Sequence, residues 1–286
     1  MDSPVNDMSA RRACVIGSPI AHSRSPLIHG YWLEALGIPG SYDKIEVKPG
    51  ELAEFFASMA EKGFVGCNVT VPHKEEALKL AQRRTARAEE FGAANTIWIE
   101  NGEIWADNTD SHGYEMSLDQ EAPGWDTARR ALVLGAGGAS RAIIAALLRR
   151  GVERIDCVNR SVERAEALAA LFGSKVHAAR FEEAPVLMKD ADLLVNTTAL
   201  GMRGKDPLVL PLETLKTDAL VSDIVYVPLE TDLLREAKAR GHRIVGGLGM
   251  LLHQAVPGFV HWFGATPSVT PELRAILEDD VRKAGG

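Results

Sequence analysis

The chain has 286 residues, more than is usual for a single domain. Hydrophobic residues make up 46% and charged residues 25%, a composition typical of globular proteins. The net charge of −7 comes from interspersed acids and bases, which argues against nucleic-acid binding. No apolar run approaches the roughly 18 residues of a membrane span. The first dozen residues are polar and lack the apolar segment of a signal peptide, so we expect a cytoplasmic protein. From the chain length we expect two domains.

Apolar strand-like runs alternate with helical patterns along most of the chain. The predicted strands are 13–16, 42–47, 66–69, 131–134, 154–158, 192–196, 220–224 and 243–245. This alternation is typical of parallel sheets covered by helices. Two short alternating runs between residues 95 and 106 flank Asn101-Gly102, a pair favoured in type I′ hairpin turns, so one antiparallel pair is also expected.

The pattern is interrupted between residues 110 and 129, where Glu121-Ala122-Pro123-Gly124 precedes a new strand. We place the domain break there. Near the end of the chain, apolar residues at helical spacing predict one helix face, with a kink expected at Pro257. The residues of that face are Leu252, Ala255, Val256, Phe259, Val260 and Phe263. Thr270-Pro271 predicts the start of a last helix.

Three further groups of residues suggest ordinary structural roles. Each cysteine lies in an apolar run, so Cys14, Cys67 and Cys157 are interpreted as reduced core residues. The eight histidines show no metal-ligand spacing, and we predict no metal site. A basic cluster, Arg83, Arg84 and Arg87, is interpreted as a solvated helix face.

A glycine-rich turn follows the predicted strand at residues 131–134 and leads into an amphipathic helix. Glycine lets the backbone approach a pyrophosphate, whose charge is met by free N–H groups and by the positive end of the helix. The strand, turn and helix together predict a dinucleotide site; the alternative is a tight turn without a ligand. The residues of this loop are Gly135, Ala136, Gly137, Gly138, Ala139 and Ser140.

The next strand ends in Asn159-Arg160-Ser161, with Arg164 one helical turn further on. An NAD site usually has an acidic residue at this strand end, whereas guanidinium groups attract the 2′-phosphate of NADP. The sequence therefore favours NADP as cofactor. The alternative is that Arg160 and Arg164 are surface residues at the start of a helix.

Several motifs occur in an order that resembles the shikimate dehydrogenase family, from residue 13 to about 263. The early motifs are Gly17-Ser-Pro-Ile-Ala-His-Ser23-Arg-Ser25-Pro26, Asn68-Val-Thr70-Val-Pro-His-Lys74, Gly92-Ala-Ala-Asn95-Thr96 and Asn108-Thr-Asp110. The later ones are the glycine loop, Asn159-Arg160-Ser161, Asp223-x-x-Tyr226-x-Pro228 and Gly247-Leu-Gly-Met250-x-x-x-Gln254. Each motif is short, but the ordered set is specific.

The resemblance implies an α/β fold with an N-terminal three-layer substrate domain and a C-terminal Rossmann-type dinucleotide domain. Its C-terminal helices are expected to return to the first domain. We assign residues 1–110 and 249–286 to the substrate domain, and residues 111–248 to the NADP domain. The implied partners are a small-molecule substrate and NADP, without nucleic acid or membrane, in a monomer or homodimer.

The resemblance also implies the site. Ser23 and Ser25 would bind the substrate carboxylate, while Thr70, Lys74, Asn95, Asp110 and Gln254 would hold its ring hydroxyls. Tyr226 and Gly247 would lie where substrate and nicotinamide meet, and Met250 belongs to the same motif as Gly247. Local alternatives stay open: Ser25 is a good N-cap, Asp110 could open a helix, and Asn95 could serve a turn.

Ketone reduction needs a proton donor beside the carbonyl oxygen, and Lys74, paired with Asp110, is the candidate. Lys74 is predicted in the first turn of a helix beginning at Pro72, where the helix dipole disfavours a cation. A residue that contradicts a local preference is a functional candidate. A solvated lysine beside Glu75 and Glu76 is the alternative. Which of Lys74 and Asp110 carries the transferred proton is left open.

Three other functions are considered. An NAD-preferring quinate/shikimate dehydrogenase would share the fold, and Arg160 and Arg164 argue against it. A non-catalytic NADPH-sensing regulator would not need Lys74 and Asp110. A tRNA-dependent or folate-dependent reductase would require basic or aromatic substrate surfaces, which the sequence does not suggest.

Overall fold

A computed structural model describes residues 10–285, and most of the polar N-terminal segment lies outside this range. The described chain forms two compact units. The first comprises the residues up to Thr109 together with Ala255–Leu273, and the second comprises Asp110–Gln254 together with the residues from Arg274 onward. The domain ranges expected from the sequence stay a prediction.

Within the described residues, the first unit contains a mixed six-stranded sheet in the order β2-β1-β3-β5-β6-β4. The strands are β1 (Arg11–Gly17), β2 (Gly40–Glu46), β3 (Phe64–Val69), β4 (Arg83–Arg84), β5 (Thr96–Glu100) and β6 (Glu103–Asp107). Its helices are α1 (Ser25–Ala35), α2 (Leu52–Ser58), α3 (Lys74–Leu80) and α4 (Ala86–Phe91). β1 pairs in parallel with β2 and β3, whereas β5 runs antiparallel to β3 and β6.

The β5–β6 hairpin turns at Asn101 and Gly102, whose φ angles are 53° and 79°. Positive φ at both central residues is the requirement of a type I′ turn, and asparagine tolerates it better than other side chains. The predicted antiparallel pair is therefore confirmed.

Across residues 10–285, the second unit contains a parallel six-stranded sheet in the order β12-β11-β10-β7-β8-β9. The strands are β7 (Arg130–Leu134), β8 (Arg154–Asn159), β9 (Val176–Arg180), β10 (Leu193–Asn196), β11 (Leu220–Asp223) and β12 (Arg243–Val245). The helices that follow in the chain are α5 (Asp110–Glu121), α6 (Gly138–Arg149), α7 (Val162–Phe172), α8 (Ala184–Leu187), α9 (Asp232–Ala239), α10 (Leu248–Phe263) and α11 (Pro271–Gly285). The strand order reverses between β7 and β10: β8 and β9 are added on one side of β7, and β11 and β12 are added on the far side of β10.

Both faces of the second sheet are apolar. Along β7, Ala131 and Val133 pack into one core cluster, and the alternating Leu132 and Leu134 pack into another. A parallel sheet with both faces covered needs this continuous apolar run. The three cysteines are buried and free, which confirms their interpretation as reduced core residues.

Two edge strands, β4 and β9, were not predicted. The interpretation of Arg83, Arg84 and Arg87 as one solvated helix face is wrong. Arg83 and Arg84 form β4, which pairs with β6, and Arg87 forms an ion pair with the buried Asp107. An edge strand bonds to one neighbour and is half exposed, so its apolar pattern is weak.

The helix boundaries differ in detail from the predictions. α3 begins at Lys74, with Pro72 in the preceding turn, so Lys74 still lies in the first helical turn. α10 is helical across Pro257, and the kink stays a prediction. Of its predicted face, Val260 is exposed and Val256 half-buried, while the other four residues are buried. α11 begins at Pro271 as predicted, and the Thr270 hydroxyl accepts the Leu273 N–H at 3.2 Å.

Within residues 10–285 no helix has both the length and the apolarity needed to cross a bilayer.

An aromatic cluster fills the first unit around His29. The imidazole stacks on Tyr42, with 4.0 Å between ring centroids, and lies edge-on to Trp32. Trp262 completes the cluster and donates its indole N–H to the carbonyl oxygen of Ile97 at 2.8 Å. Burial lowers the pKa of His29 to about 3, against a weaker opposing effect of Asn68.

The buried imidazole makes the first unit sensitive to acid. Folded His29 stays neutral, whereas the unfolded chain takes up a proton below the ordinary pKa of 6.5. The stability that this residue contributes is therefore complete above pH 6.5 and falls as the pH falls. The loss reaches about 1.4 kcal/mol at pH 5.5. We expect His29→Phe to remove this dependence, so that its free energy of unfolding relative to wild type improves by that amount between pH 7.5 and pH 5.5 in urea titrations.

His29→Leu is the control for packing. It loses the stacked ring as well as the titrating group, so it should be less stable at both pH values but show the same relative gain at pH 5.5. A stability difference from wild type that is independent of pH in both variants would contradict the prediction.

Candidate active site

Polar residues of the first unit converge on one edge of its sheet. Thr70 follows β3 at its carboxyl end, and Asn95 precedes the antiparallel β5, so both lie at the same edge. The Val69 N–H donates to the carbonyl oxygen of Asn95 at 2.8 Å, and the Thr70 N–H donates to that of Ile16 at 3.0 Å. The predicted substrate residues Thr70 and Asn95 are thus held together by backbone hydrogen bonds.

Ser23 and Ser25 lie where the loop after β1 enters α1. Ser25 is the first residue of the helix, and Arg24 occupies the N-cap position without a side-chain cap. The alternative that Ser25 is the N-cap is therefore wrong. The Ser23 hydroxyl accepts the Ser25 N–H at 3.3 Å and lies 3.4 Å from the Ser25 hydroxyl. Two hydroxyls beside a helix N-terminus suit a carboxylate ligand.

Lys74 is fixed through its backbone. Its carbonyl oxygen accepts the Ala94 N–H at 2.8 Å, which ties the first turn of α3 to the segment carrying Asn95. The preceding His73 is buried, with its Nε2 atom 2.6 Å from the carbonyl oxygen of Val47. Lys74 itself is half-buried. The alternative of a solvated lysine beside Glu75 and Glu76 stays open, because Lys74 remains partly accessible.

Asn95 is a structural centre of this edge. Its Oδ1 atom accepts from the N–H and hydroxyl of Thr109, at 2.9 and 3.1 Å, and from the Thr96 hydroxyl at 2.9 Å. Its backbone N–H donates to the carbonyl oxygen of Asp107 at 3.0 Å. The side chain of Asn95 thus joins segments that are distant in the chain, and it positions the residue that directly precedes Asp110.

Sequence reasoning missed the carboxylate that supports this arrangement. Asp107 accepts hydrogen bonds from Thr85, from Arg87 and, at 2.7 Å, from the Asn108 N–H. Burial raises the pKa of Asp107, but these hydrogen bonds and the Arg87 charge outweigh it and hold the pKa below its ordinary value. A signal existed, since Asp107 directly precedes the quoted motif Asn108-Thr-Asp110.

A second unassigned pair lies beneath the same edge. The Tyr42 hydroxyl donates to Asn68 Oδ1 at 2.6 Å, and Asn68 Nδ2 donates to the carbonyl oxygen of Asn95 at 3.0 Å. Asn68 belongs to one of the motifs quoted above, but the presence of an asparagine there did not reveal its hydrogen bond to the backbone of Asn95. Asn68 therefore supports the backbone of Asn95 from within the sheet.

In the second unit the glycine loop lies at the carboxyl end of β7, at the point where strand order reverses. Gly135 has φ of +104°, and a Cβ atom there would lie 2.8 Å from Thr197 Oγ1. A Cβ atom at Gly137 or Gly138 would meet no protein atom within 4 Å, and both residues are exposed. The loop thus combines a constrained first glycine with an open backbone at the start of α6, as a pyrophosphate site requires.

Ser140 occupies the third glycine position and ties the loop to β10. Its hydroxyl accepts the Gly137 N–H at 3.0 Å and lies 2.7 Å from the Thr197 hydroxyl, which donates to the carbonyl oxygen of Leu134 at 2.7 Å. Ala136 and Ala139, the other loop members, are half-buried. Thr197 was not among the predicted residues; its place after β10, the neighbour of β7, explains its role.

The predicted 2′-phosphate residues follow β8. The Asn159 side chain donates to the carbonyl oxygen of Ser161 at 2.9 Å and shapes the turn into α7. Arg160 lies in this turn, and Arg164 lies in the first turn of α7; both are exposed. Ser161 is the N-cap residue of α7, although its side chain makes no capping hydrogen bond. Two accessible guanidinium groups therefore flank the end of β8.

The remaining predicted residues also belong to the second unit. Asp110 is buried and opens α5, where a carboxylate is favoured by the helix dipole. Tyr226 lies in the loop between β11 and α9, and Met250 and Gln254 lie on α10. A Cβ atom at Gly247 would lie 2.0 Å from the carbonyl oxygen of Ile224, so only glycine fits there.

A doubly wound parallel sheet with a glycine-rich turn at its switch point defines a dinucleotide-binding protein of the Rossmann class. Comparison with known proteins identifies the family. Residues 15–97 match the family described as "Shikimate dehydrogenase substrate binding domain", and residues 119–203 match "Shikimate / quinate 5-dehydrogenase". Shikimate dehydrogenase (NADP(+)) of Rhodopseudomonas palustris is 56% identical over 271 residues, 95% of this chain and 97% of that protein. The chain belongs to the shikimate dehydrogenase family.

Solved structures agree with this assignment. Shikimate 5-dehydrogenase from Thermus thermophilus, in complex with NADP(H) and shikimate, has a TM-score of 0.83 and 36% identity, covering 96% of this chain and 99% of that chain. Quinate dehydrogenase from Corynebacterium glutamicum, in complex with NAD, has a TM-score of 0.88 at 28% identity, covering 94% and 99%. The fold is therefore common to proteins that differ in cofactor, and the choice of cofactor depends on particular side chains.

Gly135 and Gly137, two of the three glycines of the loop, should respond differently to alanine. Gly135→Ala forces an L-residue to φ of +104° against Thr197, so we expect a loss of about 1 to 3 kcal/mol in the free energy of unfolding. Gly137 has φ of −101°, which any residue adopts, and open space around it. Gly137→Ala should keep its stability and instead weaken NADPH binding, because a ligand needs the space. Denaturation and fluorescence titration measure the two effects, and equal stability losses would contradict this interpretation of the loop.

Proposed function

We propose that this protein catalyses the reversible NADPH-dependent reduction of 3-dehydroshikimate to shikimate in the cytoplasm, as a monomer or homodimer. This reaction belongs to the chorismate pathway of aromatic amino-acid biosynthesis. The main observation is the convergence of Ser23, Ser25, Thr70, Lys74 and Asn95 near the carboxyl edge of the first sheet. Family membership and the names of the most similar relatives support the same activity.

The substrate would be held by hydroxyl, amide and carboxylate groups. Ser23 and Ser25 would donate to the carboxylate of shikimate, and Thr70 and Asn95 would bind its ring hydroxyls. Asn95 would do so from its amide nitrogen, because its oxygen already accepts three hydrogen bonds within the protein. In the second unit, Tyr226 and Gln254 are proposed as further substrate residues.

NADPH, when bound, supplies the hydride for this reaction. The residues that would hold it fit the chemistry of a dinucleotide, because the loop offers exposed backbone with open space at Gly137 and Gly138, and the β8 end offers guanidinium groups for a 2′-phosphate. The proposed cofactor residues are Gly135, Ala136, Gly137, Gly138, Ala139, Ser140, Asn159, Arg160, Ser161, Arg164, Gly247 and Met250.

Lys74 and Asp110 are proposed as the acid/base pair. Hydride addition to a ketone leaves negative charge on the oxygen, and a positioned acid that delivers a proton there lowers the barrier. Lys74 is the candidate donor because it lies next to Thr70 and Asn95 on the same edge. Asp110 would orient the ammonium group and tune its titration.

The alternatives separate in a simple assay. An NAD-preferring quinate/shikimate dehydrogenase would oxidise quinate with NAD at least as well as shikimate with NADP. A regulator would bind NADPH without turning over either substrate. The proposed enzyme oxidises shikimate with NADP, prefers it to quinate, and shows no NADP reduction without substrate.

Arg160 should determine the cofactor preference. A charge-assisted hydrogen bond contributes roughly 1.5 to 3 kcal/mol, so Arg160→Ala should lower kcat/KM for NADP by about ten to a hundredfold and leave that for NAD nearly unchanged. Arg235→Ala on α9 removes the same charge from an exposed position and is the control. Initial rates with each cofactor measure the effect, and equal losses with both would refute the assignment.

Removal of Lys74 should affect turnover far more than substrate binding. We expect Lys74→Ala to lower kcat by roughly a hundred to ten-thousandfold, as for loss of a general acid, while Lys79→Ala on the same helix leaves kcat unchanged. Asp110→Asn should also be slow. If the pair acts as one unit, the double variant will be little slower than the slower single variant, whereas losses that multiply would place the two residues in separate steps.

A further inference from the structure

Asp223, the last residue of β11, is a buried carboxylate that joins three segments of the second unit. Its Oδ1 atom accepts from Asn196 Nδ2 at 2.9 Å and from the Val225 N–H at 3.0 Å. Its Oδ2 atom accepts from the Thr231 hydroxyl at 2.8 Å. These donors come from the end of β10, the loop after β11 and the N-cap of α9.

Each donor side chain is itself tied to its own loop. Asn196 Oδ1 accepts from the N–H and the hydroxyl of Thr198, at 3.0 and 2.7 Å, and its Nδ2 atom also donates to the carbonyl oxygen of Leu200 at 3.2 Å. The Thr231 hydroxyl accepts the Leu234 N–H at 3.3 Å and so caps α9. The position of the Asp223 carboxylate is thereby transmitted to the turn after β10 and to the start of α9.

The loop between these anchors carries Tyr226. On either side of it, the carbonyl oxygen of Val225 accepts the Gly247 N–H at 3.3 Å, and that of Val227 accepts the Arg203 N–H at 2.9 Å. The loops that follow β10, β11 and β12 therefore meet around Tyr226. In a doubly wound sheet this carboxyl edge is the ligand-binding edge.

Asp192, a second carboxylate, lies at the opposite edge of the same sheet and provides a comparison, because its contacts are purely structural. Asp192 accepts the N–H groups of Arg129 and Arg130, each at 2.9 Å, and the Lys216 ammonium at 2.7 Å. It joins the amino ends of β7 and β10, away from the glycine loop. Like Asp223, Asp192 accepts three hydrogen bonds: two from N–H groups and a third from a side chain, which is the ammonium of Lys216 here and the hydroxyl of Thr231 at Asp223.

We propose that Asp223 is a positioning residue of the dehydrogenase, which holds the Tyr226 loop against the turn after β10 through both of its oxygen atoms. The proposal rests on the proposed function in one respect, that Tyr226 and Gly247 belong to the substrate site. Asp223 touches no reacting group; it acts through the loop. Burial raises the pKa of Asp223 to about 6 in spite of its three donors, which is consistent with its deep enclosure.

The kinetic test compares Asp223→Ala, Asp223→Asn and Asp192→Ala with wild type. Asp223→Ala loses all three bonds and should lower kcat with shikimate by roughly ten to a hundredfold, as for small misplacement of substrate-positioning groups. Asp223→Asn should recover most of this loss. Its amide oxygen can accept from Asn196 and Val225, and its NH₂ group can donate to the Thr231 hydroxyl. Asp192→Ala should lower the melting temperature and leave kcat unchanged.

Thr231 provides a milder pair of variants if Asp223→Ala does not fold. Thr231→Val removes only the bond to Oδ2 and the cap, and should lower kcat several-fold, whereas Thr231→Ser keeps the hydroxyl and should not. The proposal is overturned if the valine and serine variants have equal kcat. It is also overturned if Asp223→Asn is as slow as Asp223→Ala, or if Asp223→Ala and Asp192→Ala have similar kcat.

Hydrogen exchange separates this proposal from the proposed function. The Val225 and Gly247 amides should exchange faster in Asp223→Ala than in wild type and should be unaffected in Asp192→Ala. If the wild-type protein does not oxidise shikimate with NADP, the proposed function fails, yet this exchange pattern still supports the positioning of the loop. Unchanged exchange in Asp223→Ala overturns the positioning role whatever the activity.

Discussion

Where a buried strand ends, the next backbone N–H and C=O groups no longer bond to a neighbouring strand. They need other partners inside the protein, because an unpaired buried N–H or C=O is costly. In the first unit, Asn95 meets this requirement by accepting the Thr109 N–H. In the second, Asp223 accepts the Val225 N–H and Asn196 accepts that of Thr198. These side chains satisfy buried backbone groups of the fold itself. The same requirement places polar, well-positioned residues at the edge where a ligand binds.

The fold could be predicted where a pattern is local. The βαβ alternation predicted all but one strand of the second sheet, and Asn101-Gly102 located the hairpin, because apolar runs and turn residues act over a few neighbours. β9 was missed because its sequence, Val-His-Ala-Ala-Arg, contains two polar residues and buries only Val176, as is usual for an edge strand. β4 was missed because two arginines carry no strand signal, and only pairing with β6 makes them a strand.

The site could be predicted as a set of residues, but its internal support could not. Motifs in chain order named Ser25, Lys74 and Asn95, and the structure brings these to one edge. The partnership of Arg87 with Asp107 depends on the pairing of β4 with β6, which no short motif encodes. Arg87 was accordingly interpreted as a surface charge. A side chain that positions another is recognised from its contacts, whereas one that binds a ligand can be recognised from its chemical type and motif.

The three buried thiols give each unit its own chemical reporter. Cys14 and Cys67 are neighbours on β1 and β3 in the first unit, and Cys157 lies on β8 in the second. Burial raises the pKa of Cys67 and raises that of Cys157 to about 12, and only the thiolate reacts with alkylating reagents. The folded protein is therefore resistant to thiol modification. Any reaction that does occur requires the surrounding sheet to open, and each thiol reports this opening for its own unit.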